Sequence, residues 1–254
     1  MISSFDEYLS RCKPGQQEIY SLCAPSCETA LESPYLEAFE KSDKEVIFVY
    51  STIDEFVMSN LGKYQDRVIV SVEKGDLDVL EEDVKDSSKN EKNSESKDIA
   101  EPYKLSVEES TDFCTWFQTT LKDKVKKAKV TNRLENSPAI ITDHESAALR
   151  MMMKVMDTSQ QGAHGTESIP KQVVEINPSH PIIYGLNEIR KMEPKLAEVC
   201  AAQVYDNCLV AAGLMDDSRL MLPRLNELLL CVVKGATSSI DQVNTTGSTE
   251  KSDT

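Results

Sequence analysis

Apolar residues near the end of the chain recur every three or four positions. Leu196, Cys200, Val204, Cys208, Ala211 and Met215 would share one face of a helix. Gly213 suits the end of that helix, because glycine accepts a left-handed backbone, and Asp216 or Asp217 suits the N-cap of the next. Leu222, Leu225, Leu229 and Val232 then repeat the pattern, widened by Leu228 and Val233, until Gly235 is expected to stop it. Pro223 requires a kink or a start near Leu222, since it removes a helical N–H bond. The pattern predicts an antiparallel helical hairpin with a wide apolar stripe. That stripe can be covered by the chain's own core, or by a second copy in a two-fold dimer whose patch is self-complementary. The dimer reading assigns Val204, Cys208, Ala211, Leu222, Leu225, Leu229 and Val232 to the interface.

Upstream the period is shorter. Glu18–Leu22, Glu45–Tyr50 and Arg67–Val72 read as strands, separated by a helix opened by Ser33-Pro34 and another near Ile53–Leu61 that Gly62 ends. Strand–helix alternation with short links predicts a mainly parallel sheet in a small αβα unit over residues 1–77. Residues 78–105 form an acidic polar linker, too poor in apolar groups across its centre to offset the entropy of ordering.

A second domain is expected over residues 106–236. Ser106 and Glu109 form a capping box before a helix carrying Phe113, Trp116, Phe117 and Leu121. The segment "AKVTNRL" reads as a half-buried strand, with Ala128, Val130, Asn132 and Leu134 opposite Lys129, Thr131 and Arg133. Pro138–Thr142 and "KQVVEIN" read as further strands, "ESAALRMMMKVMD" as a helix, and "HPIIYGLNEIRK" as the start of the terminal helices. The fold class is therefore α/β, with an α+β second domain that ends in the hairpin. A Ser/Thr-rich tail, 237–254, is expected to be disordered.

The chain has 254 residues and a net charge of -15, which argues against nucleic acid, since phosphate binding needs a cationic surface. No apolar run approaches the roughly 18 residues that span a bilayer. Its seven cysteines are odd in number and scattered, which suits free thiols in a reducing compartment. Cys23 and Cys27 have no partner pair for a zinc site. The histidines show no metal-ligand spacing, and no phosphate loop or nucleophile motif is found, so a self-contained enzyme, a cofactor or a metal is not expected. Asp54-Glu55 and Asp216-Asp217 read as helix caps, because adjacent helical residues do not share a site. The N-terminus lacks an apolar signal core, so either no address is needed or this chain is not the whole protein.

Methionine is the unusual element. Leu149, Met152, Met153 and Met156 occupy i, i+3, i+4 and i+7 on one helix face. Such a face can be core, or a surface whose polarizable thioethers adapt to varied partners.

Six segments, "RCKPGQQEIYSLCAPS", "SPYLEAFEKSDKEVIFVY", "IDEFVMSNL", "KVTNRLENSPAIIT", "VVEINPSHPII" and "DNCLVAAGLMDDSRLMLPRLNELL", together resemble the ninety-kilodalton heat-shock-protein chaperones, in the same order. The Ala-Pro after "YSLC" and the "AAGLMDD" corner look most like the mitochondrial branch and its bacterial relatives. The resemblance implies the C-terminal half of such a chaperone: the last αβα subdomain of the middle domain, then the dimerisation domain. ATP and magnesium would belong to a parent protein, whose nucleotide domain would precede Met1. Client-binding positions map to Glu55, Phe56 and Ser59, and to Leu149, Met152, Met153 and Met156. Implied partners are a second copy and unfolded client proteins, with no nucleic acid and no membrane. The implied location is mitochondrial, with the cytoplasm as the alternative. A scaffold that keeps dimerisation but not client binding is the competing reading, and an exposed Met face would favour the chaperone.

Overall fold

A computed structural model describes residues 3–13, 15–42, 44–75, 77, 103–146, 149–150, 152, 169–215 and 217–246. Three short runs rich in branched and aromatic side chains build the first sheet: β1 (Glu18–Cys23), β2 (Val46–Val49) and β4 (Arg67–Ser71). β3 (Lys63–Tyr64) joins at one edge, giving the order β2-β1-β4-β3. β1 runs parallel to both of its neighbours and β3 is antiparallel to β4, so the sheet is mainly parallel, as the alternation predicts.

Between β1 and β2 lie α2 (Cys27–Leu31), a 3-10 turn over Pro34–Leu36 and α3 (Glu37–Ser42). α4 (Thr52–Leu61) connects β2 to β3 and ends at Gly62, whose φ of 63° a side chain would oppose. An additional helix, α1 (Phe5–Arg11), precedes the sheet. Ser4 and Glu7 close a full capping box there. Tyr8 of α1 is buried, donating its hydroxyl to Glu45 O at 2.8 Å and accepting from Tyr20 N–H at 3.2 Å.

The second sheet has the order β5-β7-β6, with β5 (Val125–Val130), β6 (Ala139–Thr142) and β7 (Gln172–Ile176). Central β7 is parallel to β5 and antiparallel to β6. α5 (Val107–Thr120) opens with the expected Ser106–Glu109 box and buries Phe113 and Phe117. α6 (Pro181–Met192) leads to α7 (Pro194–Ala211), which packs against β6. A 3-10 turn over Ser218–Met221, capped by Asp217, precedes α8 (Leu222–Thr246). The hairpin corner sits at Gly213, with φ of 60°. Pro223 falls in the first turn of α8, where the missing N–H breaks no helical bond. Among the described residues no helix is long and apolar enough to cross a membrane.

The two sheets share one contiguous core. Several side chains tie them together, among them Asp143, which accepts from Gly75 N–H at 3.0 Å, and Lys41, which pairs with Glu135 at 3.0 Å. Tyr35 is buried and donates its hydroxyl to Ile141 O. Arg133 donates to Val72 O at 2.7 Å and to Lys74 O at 2.9 Å, just beyond β4. Glu37 accepts from Asn136 N–H at 2.9 Å and from Glu135 N–H and the Ser137 hydroxyl.

Four expectations need correction. The strand "AKVTNRL" is out of phase: Val130 and Asn132 are exposed, while Thr131 and Arg133 are buried. β5 stops at Val130, and Arg133 turns inward because backbone carbonyls await its guanidinium, without which burial of that charge would be prohibitive. Gly235 does not stop the last helix, so residues 237–246 are helical rather than part of a disordered tail. An interior glycine costs about 1 kcal/mol relative to alanine but keeps its N–H and carbonyl, so the ladder runs through it. The end of the expected linker is packed: Leu105 is buried and its N–H donates to Pro178 O at 3.0 Å. Val204 and Cys208 belong to the chain's own core rather than to a surface.

Candidate functional site

α4 starts at Ser51, whose hydroxyl accepts the Ile53 N–H. Of its apolar residues only Met58 is buried. Ile53, Phe56, Val57 and Leu61 are 46–72% exposed. Their spacing places them on one side, so the apolar stripe of this helix faces solvent instead of core. Glu55, half-buried, and Ser59, exposed, lie on the other side of the helix from that stripe. Of the second predicted surface, Leu149 and Met152 are exposed one turn apart, whereas Met153 and Met156 lie outside the described residues. Arg150 anchors this segment by donating to Glu145 O at 3.2 Å and Gly213 O at 3.0 Å.

A cavity of about 190 Å³ lies beside α4. Glu55, Met58 and Ser59 of α4 form one wall, and Asp143, His144 and Ser146, which lead towards Leu149, form another. Its floor is Ser21, Cys23, Val49, Ser71 and Glu73, at the carboxyl ends of the parallel strands. In open α/β sheets ligands favour that end, where adjacent connections leave in opposite directions.

The cavity is electrostatically tense. Burial, reinforced by the charge of Glu55, pushes the Glu73 carboxyl up to about 7, with Arg150 and Ser71 opposing weakly. Burial and the same two carboxylates push the Cys23 thiol up to about 11. The His144 side chain is 2% exposed, and its Nε2 sits 3.9 Å from the Glu73 carboxylate. That nitrogen makes no hydrogen bond, and burial holds the imidazole below its ordinary pKa.

This arrangement has a pH signature. Folded Glu73 keeps its proton up to about pH 7, whereas the unfolded chain loses it near 4.5. Folding therefore takes up a proton between those values, and stability falls as pH rises through that window. Glu73→Gln is expected to raise the unfolding free energy by about 2 kcal/mol at pH 8 and by little at pH 4. Urea titrations of both chains at the two pH values check this, and an equal effect at both would contradict it.

The interface predicted on the terminal hairpin divides. Val204 and Cys208 point inward, and Ala211 is exposed. Leu222, Leu229 and Val232, with Leu230 and Val233, are 52–68% exposed on α8, and Leu225 is half-buried. The opposite side of α8 is tied to α7, because Arg224 donates to Ala202 O at 3.1 Å and to the Asp206 carboxylate.

Sequence reasoning did not single out Glu73, His144, Tyr35, Glu37 or Arg133. A glutamate after a strand and a histidine without a spaced partner carry no local signal. Their neighbours arrive from segments tens of residues away.

The sequence profile described as Hsp90 protein matches residues 1–254. The chain is 43% identical over 226 residues to TNF receptor-associated protein 1 homolog, mitochondrial, of Dictyostelium discoideum, covering 89% of this chain and 29% of that protein. It is 35% identical over 229 residues to heat shock protein 75 kDa, mitochondrial, of Rattus norvegicus, covering 90% and 31%. Against chaperone protein HtpG of Desulfitobacterium hafniense the identity is 36% over 227 residues, covering 89% and 34%. The chain thus spans about a third of the length of these curated relatives.

Proposed function

The chain belongs to the Hsp90 family, and from that premise we propose that it is the client-contacting and self-associating portion of an ATP-driven folding chaperone. The solvent-facing apolar stripe of α4 carries the reading. A helix of a purely structural module would turn Ile53, Phe56, Val57 and Leu61 inward, whereas a surface that holds non-native polypeptide must keep them wet until the client arrives. The exposure of Leu149 and Met152 adds to this and speaks against the scaffold reading.

Clients are held here as apolar, extended segments, with α4 and the Met-bearing segment as the two contact zones. The exposed α8 stripe serves a second copy of the chain. ATP and magnesium, which the resemblance assigns to the N-terminal domain of the family, are held outside these residues. Two of the relatives are named as mitochondrial, and the free thiols suit a reducing compartment, so we place the protein in the mitochondrion.

Replacing Ile53, Phe56 and Val57 together with serine tests the reading. Exposed positions are expected to leave the fold within about 0.5 kcal/mol each. Suppression of aggregation of a heat-denatured model protein, followed by light scattering, is expected to fall severalfold. A triple variant that protects as well as the parent would overturn the assignment of α4.

A further inference from the structure

We propose that the cavity beside α4 receives the cationic end of an arginine or lysine side chain borne by the bound client, so that the chaperone selects apolar segments that also carry a positive charge. This rests on the client-binding reading above. The lining supplies Glu55, Glu73 and Asp143 against one lysine, Lys74, which is exposed. Two further cations lie near: Arg150 donates to the Glu145 and Gly213 carbonyls, and Lys129, beside Gly75 and Asp143, pairs with Glu175 at 3.2 Å. A cleft lined by one sign of charge with apolar walls concentrates the opposite sign.

A second observation is independent of the acids. His144 Nε2 is buried in this wall without a hydrogen-bond partner, and in the neutral ring that nitrogen can accept a donor. Four serine hydroxyls, of Ser21, Ser59, Ser71 and Ser146, complete an acceptor-rich lining. A guanidinium has five donors and no acceptor, so it matches this set, and an ammonium has three. The volume of about 190 Å³ accepts the end of one long side chain, since a water occupies ~30 Å³ of liquid. Met58 and Val49 flank the path and suit the aliphatic stem. The residual strain at Glu73 has the same meaning, because a carboxylate driven towards its neutral form by burial and a like charge regains its ionised state when a cation enters.

The test uses the 254-residue chain and two fluorescein-labelled unstructured peptides, identical but for one position between phenylalanine and leucine. One carries arginine there and the other citrulline, its neutral isostere. Fluorescence anisotropy is expected to give roughly tenfold tighter binding of the arginine peptide, in line with a charge-assisted pair. That preference should fall below twofold in Glu73→Gln and in Glu55→Gln, with citrulline binding unchanged. Glu55 is only half-buried, so its variant tests the preference independently of the stability change expected for Glu73→Gln. Equal binding of the two peptides to the parent, or a preference that survives both substitutions, overturns the proposal. Failure of both peptides to bind overturns the client reading instead. Propylguanidinium alone should compete only weakly, and binding of this small cation as tight as that of the peptide would show a small-ion site and overturn the client assignment of the cavity.

Discussion

A Leu229→Asp chain is expected to sediment as a monomer at micromolar concentrations where the parent runs as a dimer. Leu222, Leu229, Leu230, Val232 and Val233 leave a continuous apolar band on the outer side of α8, while Arg224 fastens the inner side to α7. A band at the end of a hairpin can pair with its own copy about a two-fold axis, since the patch is then self-complementary. An aspartate at its centre would enter that interface twice, and an unpaired buried charge costs about 3–5 kcal/mol. That corresponds to a Kd raised by a hundredfold or more. The fold itself should persist, because Leu229 is 61% exposed in the single chain. Val204→Asp is expected to behave differently and unfold the chain, because Val204 is core. Sedimentation velocity with circular dichroism separates the two. A folded parent that is monomeric at micromolar concentration would refute the dimer.

Arg133→Gln is expected to be the most destabilising single change at the joint between the two sheets. The guanidinium bonds Val72 O and Lys74 O while it lies 5.9 Å from the Tyr35 ring centre. It also offsets the charge of Glu175, which is buried and otherwise paired with Lys129 at 3.2 Å. Removing one member of such a buried set costs roughly 3–5 kcal/mol, because the remaining groups stay desolvated. For a chain of this size the thermal midpoint should drop by about 10 °C. Arg133→Lys should recover only part of the loss, since an ammonium cannot reproduce the planar fork. Calorimetry checks the series, and a loss below 1 kcal/mol for the glutamine variant would show that the joint does not depend on this residue.

Local chemistry made much of the fold legible in advance. The Ser106 box, the Gly62 and Gly213 corners and the alternation of strand and helix all act within a few residues, and each is where the pattern put it. The helical hairpin was legible for the same reason, although which of its sides faces out was not. Val204 and Leu229 both recur at helical spacing, and only the elements packed against α7 decide that the first is buried. The phase of β5 was misread because Arg133 is polar in composition yet has carbonyl partners some sixty residues earlier in the chain. The candidate cavity was half legible. Glu55 and Ser59 came from the resemblance, but Glu73 and His144 become chemically notable only when burial brings them to 3.9 Å.

The joint between the sheets carries an evolutionary consequence. Tyr35, Arg133 and Glu37 address main-chain atoms at nearly every contact: the carbonyls of Ile141, Val72 and Lys74, and the N–H groups of Glu135 and Asn136. Every amino acid has that carbonyl, and every one but proline has that N–H. Lys74 and Asn136 are exposed and meet the joint through main-chain atoms, so mutational drift there can proceed without any matching change across it, whereas Glu135 also pairs its carboxylate with Lys41 at 3.0 Å. Proline at 135 or 136 is the exception, because it would delete a donor to Glu37. Inheritance of the joint thus falls mainly on the side chains that reach across it, and positions that offer only a main-chain atom, such as Lys74 and Asn136, are free to diverge.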